Sequence, residues 1–168
     1  MVINTKEQLF WTSVNNVPAQ YPWLTEDINC EIAIVGGGVT AALCALRFSE
    51  AGHDTVMVSQ SPIGFGGTAA SSGMMSIDGE QSISTLVEKI GADRAMMAIG
   101  LMSEAINNIE TLCNGFEDNC GFKRMDSMRF ADDAKTGEKL RHEYSVRLHN
   151  GIDVELLTNW SAAEHFTF

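Results

Sequence analysis

The apolar positions of this chain change their spacing along its length, and the change predicts the order of its elements. Glu31-Ile-Ala-Ile-Val35 is a short apolar run halted by Gly36-Gly37-Gly38, which predicts a buried strand ending in a tight turn. Good helix formers occupy Val39 to Ala51, and Gly52 closes that segment. Thr55-Val-Met-Val58 is uncharged and β-branched, so a second buried strand is expected there. Strand, glycine turn, helix and strand from Glu31 to Ser59 have the length of one βαβ unit, whose two strands should pair in parallel with a right-handed crossover.

Further on, Ser82 to Ile90 and Asp93 to Cys113 read as helices. The second carries Ala95, Ile99, Met102, Ile106, Ile109 and Cys113 at steps of four and three, a stripe suited to core packing. Weak alternation over Arg124 to Ala131 predicts a strand. Asp132 to Asn150 predicts a polar helix with Leu140, Tyr144 and Leu148, closed by Gly151. Ile152 to Leu157 predicts another short strand, and Ser161-Ala-Ala-Glu164 has the form of a capping box that opens a helix. Met1 to Asn29 has no clean period. With Pro18 and Pro22 among Trp11, Tyr21 and Trp23, it reads as an extended lead-in (1–29) pinned by aromatics.

Composition narrows the function classes. The chain has 168 residues, 45% hydrophobic and 20% charged, enough for one domain with a sizeable core. Eleven Lys and Arg against 22 Asp and Glu leave a net charge of −11, which repels a phosphate backbone and argues against nucleic acid as a partner. No stretch has the unbroken apolar character of an export signal or a membrane span, so a cytoplasmic protein is expected. Cys30, Cys44, Cys113 and Cys120 show no C-x-x-C spacing and read as free thiols of a reducing compartment, with Cys44 and Cys113 buried in helices. No metal site is indicated. His53, His142, His149 and His165 read as ordinary surface residues.

The chemistry lies in the glycine turn. Gly36-Gly37-Gly38-Val39-Thr40-Ala41 fits G-x-G-x-x-G/A directly after a strand and at the start of a helix, the context in which that motif binds a dinucleotide. Gly36 permits the turn, Gly38 leaves room for a pyrophosphate, and the small Ala41 lets helix and strand pack closely. The phosphates then meet free N–H groups and about half a positive charge at the helix N-terminus, so no lysine is needed. Ser59 stands where an acidic residue usually grips the adenosine ribose, and a hydroxyl makes the weaker bond. No Lys or Arg lies between Phe48 and Glu88 to hold a 2′-phosphate, which disfavours NADP. From Thr55 to Ile77 there is no charge at all, and Ile63-Gly-Phe-Gly-Gly-Thr-Ala-Ala-Ser-Ser-Gly-Met-Met75 is built so that its backbone can approach a ligand closely.

The two motifs together, from Glu31 to Met75, resemble the N-terminal part of the FAD-dependent oxidoreductases of the D-amino-acid oxidase type, the group with glycine oxidase-like and DadA-like enzymes. Tyr21-Pro-Trp-Leu24 and the helices to about Cys113 are similar to a bacterial branch of it. The resemblance implies an α/β fold, a Rossmann-type FAD-binding domain with a parallel sheet over 30–168, incomplete at its C-terminal side because family members are more than twice as long. It implies FAD as cofactor and an amino acid or amine as substrate, oxidised at a C–N bond by hydride transfer to the flavin.

Position by position, the resemblance places Gly36, Gly38, Val39 and Thr40 at the pyrophosphate and Ser59 and Gln60 at the ribose. Gly67 and Thr68 fall on the phosphate side of the flavin, and Ser72, Gly73 and Met74 along the ribityl chain toward the isoalloxazine ring. It assigns no catalytic base. Two other readings stay open: a non-catalytic truncated remnant that binds a dinucleotide weakly or not at all, suggested by Ser59 together with the expected missing C-terminal half, and a fragment of an NAD-dependent dehydrogenase, since the glycine turn alone does not choose between NAD and FAD.

Overall fold

A computed structural model of the chain describes residues 10–14, 21–79, 81–157 and 161. It divides into two units, 1–74 and 75–168. In the first, α1 (Phe10–Val14) precedes β1 (Ile32–Val35), α2 (Val39–Glu50) and β2 (Thr55–Val58). The strands pair in parallel with Ile32 opposite Thr55 and Val35 opposite Val58. α2 packs on both strands, as a short βαβ crossover requires. Glu31 steadies the entrance of the sheet: its Oε2 accepts from the Asp54 N–H at 3.1 Å and lies 3.2 Å from His53 Nδ1. The α/β class and the parallel pairing therefore agree with the sequence pattern.

The lead-in differs from expectation. Residues 10–14 are helical, and residues 21–25 lack regular structure, with Tyr21 and Trp23 69% and 87% exposed. Among the described residues it is Trp11 that ties the lead-in down: its indole N–H donates to the Ser71 carbonyl at 2.7 Å.

The second unit holds α3 (Ile83–Ile90), α4 (Ala92–Asn114) and α5 (Ala134–His149), with α3 packed against both of the others. The expected stripe on α4 is buried only toward its start, at Ala95 and Ile99, and Met102 is 37% exposed. A residue that composition cannot reveal organises this unit. Glu143 on α5 is 5% exposed, and its carboxylate accepts from the Ile83 N–H at 3.0 Å and the Ser84 N–H at 2.8 Å. Ser82 Oγ accepts from Thr85 N at 3.2 Å, so the first three N–H groups of α3 all have acceptors. Arg147, one turn along, donates from Nε to Glu143 at 2.8 Å and pairs with Asp78, which also receives Arg129 at 3.2 Å. Two carboxylates and two guanidinium groups thus offset each other.

Two expected strands do not form. Residues 123–131 and 152–157 are irregular, and among the described residues the sheet has only β1 and β2. A strand needs a ladder partner, and none lies alongside. Side chains hold the first segment instead, through Arg124 to Glu110 and Asn107 and through Arg129 to Asp78; Met125 and Phe130 stay 86% and 78% exposed. The helix expected from Ser161 falls almost wholly outside the described residues. The core is also smaller than 45% hydrophobic content predicts: among the described residues only Ala69, Ile83, Ala95 and Ile99 are buried apolar side chains. One helix on a two-stranded sheet, and three helices side by side, offer few positions enclosed from every direction.

Candidate functional site

At the carboxyl end of β1 an open cleft of about 700 Å³ is walled by the glycine turn, the first turn of α2 and the small-residue segment after β2. Each wall has a local cause. Gly36 has φ +136°, a backbone region that side chains rarely adopt, and its N–H is held by the Val58 carbonyl at 2.8 Å. The chain therefore leaves β1 sharply and places Gly38 as N-cap of α2, with no side chain to cap the helix. The Val39 N–H donates to Thr68 Oγ1 at 3.0 Å, and the Thr40 and Ala41 N–H groups find no protein acceptor among the described residues. Such bare donors, at the positive end of a helix of 12 residues, suit an anion. A Cβ on Gly38 would lie 3.3 Å from Thr68 Oγ1 and fill space between the walls.

Gly36, Gly38, Val39, Thr40, Gly67 and Thr68 all line this cleft. The other candidates from the sequence do not. Ser59 is exposed, with its hydroxyl 2.7 Å from where a Cβ on Gly37 would stand, and it accepts from the Ser61 N–H at 3.3 Å. Gln60 is exposed beside it. Ser72, Gly73 and Met74 continue from the wall as an exposed run, held by short bonds from Gly73 N to Ser71 Oγ and from Met74 N to Ser72 Oγ.

Several residues at the site were not singled out by sequence. Cys44 lines the cleft and is exposed, contrary to the expected buried thiol. It lies one turn beyond Thr40, so the same helical spacing that marks Thr40 could have marked it. Phe65 and Ser71 also line the cleft, and Gly37 is needed because Ser59 leaves no room beside it. Cys113, in the second unit, is half-buried, and burial pushes its thiol pKa up, with the neighbouring Cys120 thiol adding to the shift. Asp133 caps α5, and its bonds from the Thr136 N–H and hydroxyl lower its pKa.

A smaller hollow of about 280 Å³ at Ile90–Arg94 is made by one stretch of chain and gathers no converging groups. Among the described residues no cluster of three or more His, Cys, Asp or Glu converges, and no helix is long and apolar enough to cross a membrane.

Comparison with known proteins gives this geometry a context. The family model described as "FAD dependent oxidoreductase" matches residues 31–167. Gamma-glutamylputrescine oxidoreductase of Escherichia coli (strain K12) is 29% identical over 114 residues, 68% of this chain and 27% of that protein. A Bacillus subtilis (strain 168) protein whose name describes a Rieske 2Fe-2S iron-sulfur protein is 20% identical over 150 residues, 89% of this chain and 29% of that one. A Haemophilus influenzae protein named "Probable oxidoreductase OrdL" is 23% identical over 115 residues, 68% of this chain and 27% of its own length. The chain thus spans between 27% and 29% of the length of these curated relatives. No solved structure matches it significantly.

Proposed function

The chain belongs to the FAD dependent oxidoreductase family, whose cofactor is FAD, and from that premise we propose that the glycine-turn cleft holds the FAD diphosphate and that the substrate is an amine or amino acid oxidised at a C–N bond. The single observation that carries the reading is the set of amide donors at Gly38, Thr40 and Ala41, which have no protein acceptor among the described residues, beside a cleft of about 700 Å³ with no side chain at Gly36 or Gly38. The residues present fit the group. A diphosphate needs N–H donors, space for close backbone approach and no nearby carboxylate, and no charged residue occurs from Thr55 to Ile77.

In this reading Gly38, Thr40 and Ala41 donate to the diphosphate through their amides. Thr68 accepts from the Val39 N–H through its hydroxyl, and a phosphate oxygen at the turn would offer that N–H an alternative acceptor. Bound FAD supplies the hydride acceptor for the C–H bond beside the substrate nitrogen. Val35, 86% exposed at the end of β1, and Phe65 provide apolar surface at the cleft. Ser59, turned toward Gly37, contributes one hydroxyl to turn packing, so the ribose must find its grip with little help from that side chain. The name of the Escherichia coli relative, gamma-glutamylputrescine oxidoreductase, is that of an enzyme acting on a compound with amine nitrogens, which supports a C–N substrate.

Melting the purified chain with FAD, NAD or neither tests the cofactor. A rise in Tm with FAD and none with NAD is expected, because a ligand of the native state alone stabilises it by mass action. A rise with NAD alone overturns the reading. Anaerobic incubation of the FAD-loaded chain with a panel of amines and amino acids, followed by the loss of flavin absorbance, tests the substrate class.

A further inference from the structure

Trp11 is separated from the glycine turn by a proline-containing stretch, yet it is bonded to a residue that lines the cleft. Its indole N–H donates to the Ser71 carbonyl at 2.7 Å, and Ser71 lines the cleft. Its ring also occupies the space beside Gly73: a Cβ there would fall 2.8 Å from Trp11 Cζ2 and 3.4 Å from Cη2. Gly73 has φ +74°, so its lack of a side chain answers two demands, a left-handed backbone and the presence of the ring. Phe10 meets Trp11 edge to face, with centroids 5.0 Å apart at 80°, and buttresses it.

The segment from Ala69 to Gly73 has no large side chain of its own to anchor it, and its glycine loses more backbone entropy on being ordered than any other residue type. A rigid indole with two rotatable bonds and one donor fixes such a segment at low entropic cost. We propose that Trp11 is a positioning residue for the flavin half of the cofactor: it holds Ser71, which lines the cleft, and fixes the exposed Ser72–Gly73 run that continues from it toward Met74. This rests on the FAD reading above. Pre-ordering a binding segment raises affinity by removing an ordering cost, and it does so only for the part of the ligand that touches the segment.

The test uses the full chain with Trp23→Phe and Trp160→Phe, leaving Trp11 as the remaining tryptophan, and titrates it with FAD and separately with ADP. Trp11 emission is expected to be quenched by FAD along the same curve as the calorimetric heat, and to be little affected by ADP. Adding Trp11→Phe removes the indole N–H but keeps an aromatic ring. It should weaken FAD about fivefold, the factor for one hydrogen bond of about 1 kcal/mol, and leave ADP affinity unchanged. A general structural role would weaken FAD and ADP together and overturns the inference, as does tighter FAD binding in the variant. FAD binding with unquenched emission and no effect of Trp11→Phe removes this inference alone. Absence of any FAD heat with the unsubstituted chain removes the cofactor reading and this inference with it.

Discussion

Ser59 Oγ lies 2.7 Å from the point that a Cβ on Gly37 would occupy, so the end of β2 and the glycine turn after β1 are fitted to each other at single-atom clearance. The Ile63 backbone stands 3.5 Å from the same point, and the Gly64 N–H donates to the Gly37 carbonyl at 2.7 Å. The middle glycine thus answers to packing, while its neighbours face the cleft. Gly37→Ala should destabilise the first unit by about 1 to 3 kcal/mol through overpacking. Combining it with Ser59→Gly should restore much of that loss. Thermal melts of the two single variants and the double variant give the coupling energy, and simple additivity would contradict the contact.

Gly38 tests the opposite side of the turn. A Val at this position puts methyl groups beside Thr68 Oγ1, where the Cβ alone would already lie at 3.3 Å, and into the approach of the diphosphate. FAD affinity should fall below detection by calorimetry while the chain stays folded by circular dichroism. Unchanged affinity would place the diphosphate elsewhere.

Thr68→Val deletes the acceptor of the Val39 N–H, which has no other cap. The unliganded chain should lose about 1 kcal/mol, a typical value for an N-cap hydroxyl. At saturating FAD the loss should shrink, since a phosphate oxygen can take over the freed donor. Paired melts with and without FAD measure both figures, and a loss that grows with FAD would show that Thr68 serves the ligand more than the helix.

Acid stability should report on Glu143. Burial raises its pKa, but bonds from the Ser84 hydroxyl and N–H, Arg147 and the Ile83 N–H outweigh that and bring it down to about 2. A carboxyl with a lowered folded pKa contributes stability that is complete above its unfolded value of about 4.3, and that stability drains away as pH falls toward 2. Denaturant midpoints between pH 6 and pH 2.5 should therefore drop. In Glu143→Gln, where Arg147 keeps Asp78 as its partner charge, the loss at pH 7 should be about 1.5 to 3 kcal/mol and the remaining pH dependence flatter.

Alkylation should separate the thiols. Cys44 and Cys120 are exposed, whereas Cys113 is half-buried with a raised pKa. Since the thiolate is the reactive form, Cys113 should be labelled last by iodoacetamide near pH 8, as read by peptide mass mapping. FAD should protect Cys44, the thiol in the cleft wall, and leave Cys120 unaffected.

Local patterns in the chain settled the βαβ unit, the glycine turn and the spans of α3, α4 and α5 within a residue or two. Each depends on neighbours three or four positions away, or on a backbone conformation that only glycine adopts easily. The small-residue segment around Gly67 and Thr68 was legible as one whose backbone can be approached closely, and it forms a wall of the cleft. The tertiary structure alone decided what rests on residues far apart in sequence. It brought Trp11 to Ser71, turned Ser59 toward Gly37, and buried Glu143 and Arg147 where α5 shows Leu140, Tyr144 and Leu148 to a reader of hydropathy. It also left 124–131 and 152–157 without a strand, because alternation supplies one face of a ladder, while the partner that completes the hydrogen bonds has to come from elsewhere in the fold.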